Sequence, residues 1–149
     1  MDKIPSFKMG QVGMIVKDAE KVSKNIAKLF GLPESSYEII GDYEFANTTY
    51  KGKRTAAKSK AAFYNMGSLD LEIIEPMGEP STWNDFLVEN GEGVHHLAWY
   101  VKGIDEVAAY LESQGMPLIQ KGNWDGGQYM YFDAKEQIGL IIELLQTDD

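Results

Sequence analysis

Cysteine does not occur in this 149-residue chain. Its absence excludes disulfides, thiolate metal sites and cysteine nucleophiles. Arginine occurs once, at Arg54, and histidine twice, at His95 and His96. Basic residues number 14 against 23 acidic ones, for a net charge of −9. That balance argues against a nucleic-acid partner, which needs a basic footprint. No apolar run approaches the roughly 20 residues of a membrane span. Met1 to Val16 holds no continuous apolar stretch of signal-peptide length. The expectation is a soluble, cytoplasmic protein with no membrane partner. What is present is ordinary for a globular chain: 44% hydrophobic and 25% charged residues. A chain of this length buries roughly 70% of its unfolded surface and needs no covalent staple.

The chain repeats itself. Gln11-Val12-Gly13-Met14-Ile15-Val16-Lys17 resembles His96-Leu97-Ala98-Trp99-Tyr100-Val101-Lys102. Each is a short apolar run suited to a buried strand, and each leads into a helical pattern. Val22, Ile26 and Leu29 mark one helix; Val107, Tyr110 and Leu111 mark the other. Both helices stop at glycine followed by proline, Gly31-Leu32-Pro33 and Gly115-Met116-Pro117, where glycine permits a left-handed cap and proline blocks continuation. Ala61 to Asn65 and Leu69 to Ile74 form an aromatic strand, turn and apolar strand. Tyr129 to Asp133 and Gly139 to Leu145 repeat that order. The predicted architecture is α+β: a strand, a helix and about three strands, occurring twice, over residues 1–75 and 94–149. Residues 76–93 link them through a short helix over Ser81 to Glu89, with Ser81 as its N-cap.

Four polar residues fall where strands should be apolar. Gln11 and His96 open the equivalent first strands. Glu72 and Glu143 lie in the equivalent last strands. Alternation puts Glu72 on the face of Asp70 and Ile74, and Glu143 on the face of Ile141 and Leu145. A buried carboxylate without a partner costs several kcal/mol or loses its charge. A metal ion would resolve that cost, and all four side chains can donate oxygen or nitrogen to one. His95 alternates to the face opposite His96 and reads as structural.

These motifs resemble the vicinal oxygen chelate superfamily, which includes glyoxalase I, methylmalonyl-CoA epimerases, extradiol dioxygenases and bleomycin-resistance proteins. The resemblance is carried by Gly91-Glu92-Gly93-Val94-His95-His96-Leu97-Ala98, Leu71-Glu72-Ile73-Ile74-Glu75-Pro76 and Gly139-Leu140-Ile141-Ile142-Glu143-Leu144. It implies that the two halves are βαβββ modules forming a cupped, mostly antiparallel sheet around a metal held by Gln11, Glu72, His96 and Glu143. That ligand set resembles glyoxalase I, whereas His95-His96-Leu97-Ala98-Trp99 looks more like the epimerases. Epimerases of this type use a further glutamate on a strand of the first module as a second base. The corresponding stretch, 47–57, holds no acid, and Glu44 is the nearest upstream.

One nitrogen and three oxygen donors suit Zn²⁺, Ni²⁺, Co²⁺, Mn²⁺ or Mg²⁺. Such a site can chelate a substrate carbonyl and stabilise the enolate left when a neighbouring proton is removed. Glu143 is the first candidate base and Glu72 the second. The expected function is metal-dependent proton transfer, as an isomerase, epimerase or glyoxalase-like lyase, on a small carbonyl or thioester substrate. The alternative is a small-molecule sequestration protein of the bleomycin-resistance kind. A homodimer is the expected assembly. Lys51, Lys53, Arg54, Lys58 and Lys60 lie in a segment without acids. That segment is either a solvated hairpin or an anchor for an anionic substrate tail.

Overall fold

The computed structural model describes residues 1–148. The first half runs β1 (Met9–Ile15), α1 (Ala19–Phe30), β2 (Glu38–Ile40), α2 (Tyr43–Ala46), β3 (Thr49–Tyr50), β4 (Lys53–Arg54), β5 (Lys58–Asn65) and β6 (Asp70–Met77). After the linking helix α3 (Thr82–Asn90), the second half runs β7 (Gly93–Tyr100), α4 (Ile104–Ser113), β8 (Leu118–Trp124), β9 (Gly127–Ala134), α5 (Lys135–Ile138) and β10 (Leu140–Thr147). All ten strands form one curled sheet in the order β2-β5-β6-β1-β7-β10-β9-β8-β3-β4. Among the described residues, no helix is long and apolar enough to cross a membrane.

The repeat in the sequence is a repeat in the sheet. β1 and β7 lie antiparallel at the centre. On either side comes a parallel neighbour, β6 beside β1 and β10 beside β7. Antiparallel strands follow outward, β5 then β2 on one flank and β9 then β8 on the other. Only those two neighbours pair in parallel, so the predicted mixed α+β cup with a mostly antiparallel sheet is what forms.

The hairpin β3–β4 breaks the symmetry. It is inserted in the first half but pairs with the outer strand of the second, Thr49 opposite Lys121 and Tyr50 opposite Gln120. The chain from β2 to β3, including α2, therefore passes between the two ends of the sheet.

Local signals explain the helix limits. Asp18 caps α1 by accepting from the Lys21 amide at 3.1 Å. Gly31 ends it at φ 65°, the left-handed region that glycine enters without steric cost. Ser81 caps α3, accepting from the Asn84 amide at 3.0 Å. Each helix covers the outer face of its half. α4 presses Ile104, Val107 and Leu111 onto Met130, Phe132, Ile142 and Leu144. α1 is held by smaller groups, Ala19, Ser23 and Ala27. Of its predicted apolar stripe, Val22 and Ile26 pack, but Leu29 is 79% exposed. The inner face carries a separate cluster containing Ile15, Ile74, Trp83, Ala98, Ile141 and Leu145. The polar candidates are set among these residues.

Candidate metal centre and active site

Glu72 and Glu143 point into the cup, as alternation requires from the inward positions of Ile74, Ile141 and Leu145. His96 meets them there. Its Nε2 is 3.1 Å from a Glu143 oxygen and 3.4 Å from a Glu72 oxygen. All three residues are buried, His96 completely. One donor atom from each lies within 4.8 Å of the others. Glu72 Oε1, His96 Nε2 and Glu143 Oε1 face one another without a hydrogen-bond partner of suitable geometry. Three converging orphan donors in a buried site, one nitrogen and two carboxylate oxygens, fit a divalent cation of the borderline-to-hard kind.

Gln11 sits on β1 beside them. It lines the same cavity as Glu72 and Glu143 and is half-buried. Glycine at position 13 makes room for the histidine: a Cβ built there would overlap the His96 ring. Within one chain, Gln11, Glu72 and Glu143 line one cup, and His96 contacts the two glutamates.

His95 departs from the sequence reading. Gly13 pairs with His96 but Met14 pairs with Val94, so His95 is the extra residue of a bulge in β7. The bulge cancels the alternation that would have sent it to the other face. Its ring stands edge-on to His96 with centroids 5.1 Å apart. His95 Nδ1 lies 2.8 Å from His96 Nδ1, and His95 Nε2 lies 3.1 Å from Thr82 Oγ1. These bonds order the protons. For His96 Nε2 to offer a lone pair, His96 must carry its proton on Nδ1 and donate it to His95 Nδ1. His95 then donates from Nε2 to Thr82. Gln120 anchors this end by accepting from the Thr82 amide at 2.8 Å while donating to the Tyr129 hydroxyl at 3.1 Å.

The electrostatics agree with that chain. Burial and the neighbouring His96 hold His95 well below the ordinary histidine pKa, so it stays neutral. Burial alone would also lower His96, but the Glu143 and Glu72 carboxylates outweigh it and raise His96 to about 9. Burial raises Glu72 above the usual carboxylate range despite the nearby imidazole. In the metal-free protein at neutral pH, a proton on His96 Nε2 occupies the position from which the imidazole would bind a cation.

The cup encloses about 430 Å³, with Glu72 and Glu143 among its lining and Phe63, Tyr100, Trp124, Tyr129 and Tyr131 as aromatic walls. A larger depression of about 930 Å³ beside Lys8 and Lys102 holds none of the converging groups. Of the aromatic residues outside the cup, Tyr64 turns outward to donate to the Ser23 carbonyl at 2.9 Å, and Trp99 packs on the outer core. Tyr50 donates to the Asp85 carboxylate.

Glu38, which sequence reasoning passed over, lines the cup from β2. Glu44 lies on α2, exposed and outside the cavity lining. The available signal was Tyr37-Glu38-Ile39-Ile40, where alternation pairs Glu38 with Ile40 and leaves Ile39 outward and 53% exposed. The basic segment is partly committed elsewhere. Arg54 lies over the Tyr43 ring at 4.0 Å and donates to the Tyr43 carbonyl, while Lys60 pairs with Glu20 at 3.3 Å.

A family profile described as glyoxalase/bleomycin resistance protein/dioxygenase superfamily matches residues 10–132. The chain belongs to that superfamily. An uncharacterized Bacillus subtilis protein, YqjC, is 30% identical over 92 residues, which cover 60% of this chain and 66% of that protein, just under two thirds. A mouse mitochondrial methylmalonyl-CoA epimerase is 23% identical over 96% of this chain and 76% of its own length. Among solved structures, the methylmalonyl-CoA epimerase of Mycobacterium tuberculosis superimposes with a TM-score of 0.68 at 18% identity, covering 100% of this chain and 93% of that one. A Streptomyces coelicolor methylmalonyl-CoA epimerase in complex with 2-nitronate-propionyl-CoA gives 0.67 at 19% identity, covering 95% and 98%. At these identities the superfamily member shares their fold.

Proposed function

We propose that this protein is a metal-dependent isomerase or epimerase that moves a proton next to a carbonyl or thioester group. The observation that carries the reading is the buried convergence of Glu72, His96 and Glu143 with unpartnered donor atoms beside the cup. Gln11 would complete the ligand set from the lip. A divalent cation bound there supplies positive charge that acidifies the proton beside a carbonyl. The similarity to methylmalonyl-CoA epimerases in sequence and fold supports the same reaction class.

The protein's own part is positioning and proton transfer. Glu143 accepts the proton at its carboxylate, with Glu72 as the neighbouring carboxylate able to share that role. Glu38 stands on β2 near one end of the curled sheet, while Glu143 stands on β10, beyond the central strands. The two carboxylates therefore address a bound molecule from different walls, and returning the proton from Glu38 would invert a carbon centre. The Thr82–His95–His96 chain keeps the imidazole in one tautomer, and the aromatic walls exclude water.

The test is solvent-deuterium exchange by the metal-loaded protein over acyl thioesters and hydroxyketones. Glu143→Gln should depress exchange by about 10²–10⁴-fold at equal metal occupancy. Glu38→Gln should retain exchange on one face while losing inversion. If the metal-loaded protein exchanges no substrate proton yet binds a small molecule tightly, sequestration replaces catalysis as the reading.

A further inference from the structure

The cup is acidic beyond what a metal would neutralise. Two carboxylates, Glu72 and Glu143, are balanced by one divalent cation. Three more, Glu38, Asp70 and Asp125, line the same cavity, and no lysine or arginine lines it. Among the described residues none of these three is in an ion pair. Asp70 has only an amide contact, from Asn65 Nδ2 at 3.3 Å. The three do not gather into a second cation site, because the one cluster of ligating groups is Glu72, His96 and Glu143. Tyr100 is shared between the cup and the neighbouring depression, and Lys8 lies beyond the cup lining. Lys8 stands 5.4 Å from the Tyr100 ring centroid and lines the neighbouring depression instead.

A ligand-directed centre is present independently of those acids, in the buried unpartnered atoms of Glu72, His96 and Glu143, of which the two glutamates line the cavity. A molecule bound at that centre shares a space of about 430 Å³ with three like charges and a lining of aromatic rings. Negative charge entering such a cleft is repelled, and the low-dielectric walls concentrate the effect.

We infer that the part of the substrate entering the cup carries no negative charge, and that a cationic head is preferred to a neutral one of the same shape. This rests on the metal-centre reading given above. It separates the protein from an epimerase whose substrate head bears a free carboxylate, as a malonyl group does. An anionic tail left outside the mouth is compatible with it.

Three hydroxamates that chelate through two adjacent oxygens and differ at the far end test the inference. They are valeric hydroxamate (methyl), γ-aminobutyric hydroxamate (ammonium) and glutaric monohydroxamate (carboxylate). Their dissociation constants are measured by calorimetry on the nickel-loaded protein at low salt. The carboxylate should bind about tenfold or more weaker than the methyl compound, and the ammonium several-fold tighter. Added salt should compress both differences. Asp70→Asn combined with Asp125→Asn should recover most of the carboxylate's loss while changing the methyl compound's affinity little. Equal affinities, tightest binding by the carboxylate, or discrimination unmoved by the double substitution would overturn the charge inference and leave the metal centre standing. If no hydroxamate binds the nickel-loaded protein, or nickel itself does not bind, the metal-centre reading fails and this inference with it.

Discussion

Between α4 and its strands, a cluster of ten buried residues, four of them on the helix itself, runs from Val101 to Leu144. At α1 the corresponding cluster has four, Val16, Ala19, Ala62 and Ile73. The strand order is the same in both halves, yet the helices grip differently. α4 fully buries Ile, Val and Leu, whereas α1 fully buries only Ala and Ser, half-buries Val22 and Ile26 and leaves Leu29 and Phe30 exposed. A repeated topology therefore does not carry repeated energetics. The second half is the firmer platform, and it supplies His96, the only nitrogen donor of the candidate centre, together with Glu143. The first half supplies Glu72, Gln11 and the off-centre Glu38 from elements with thinner support.

The largest expected effect tests that asymmetry directly. Leu111→Ala should lower unfolding free energy by about 2–5 kcal/mol in urea titration, because a fully buried leucine leaves a cavity. Ile26→Ala, at the half-buried equivalent layer, should cost less than about 1.5 kcal/mol. Equal costs would break the comparison.

Next comes the metal. His96→Ala should weaken nickel binding by about a hundredfold or more, since ligand loss exceeds the 10–100-fold typical of outer partners. Gln11→Ala, removing a half-buried neutral donor, should cost less than about tenfold. A larger loss at Gln11 would move the weight of the centre to the first half.

A pH series sharpens the same point. His96 is raised to about 9 in the metal-free fold by its two carboxylate neighbours, against about 6.5 when unfolded. Its protonated form therefore stabilises the metal-free protein fully below about 6.5, and that contribution is lost as pH rises through about 9. Glu72, also raised, pushes in the same direction. Metal affinity runs oppositely and should climb about tenfold per pH unit up to about 9 as the Nε2 proton is displaced. Melting temperatures in chelator and calorimetric metal titrations over that range measure the two trends. The smallest effect belongs to exposed Leu29, where Leu29→Ala should move stability by no more than about 0.5 kcal/mol.

Much of this was legible because duplication leaves matching marks. Gln11 against His96 and Glu72 against Glu143 stand out as polar residues in equivalent strands, and alternation assigned the two glutamates to the correct face. Alternation failed at His95 because it presumes an unbroken ladder, and a single extra residue in β7 turns the next side chain around. Glu38 escaped because β2 is only three residues long and lies at a sheet edge, so its alternation, Glu38 with Ile40, is a weak signal. The pairing of β3 with β8 had no local signature at all. It joins residues far apart in the chain, and only the closed curvature of the sheet brings them together.

That last pairing has a consequence for the order in which the protein can be made. β3 leaves the ribosome well before the strand it must join, with Tyr50 waiting for Gln120. At about 5–20 residues per second, the ~70 intervening residues take roughly 4–14 s to appear. During that interval β1 also lacks β7, so the nascent first half displays open hydrogen-bonding edges at both β1 and β3. The vulnerable period of this small protein therefore falls in mid-synthesis, and the arrival of the second half closes both edges.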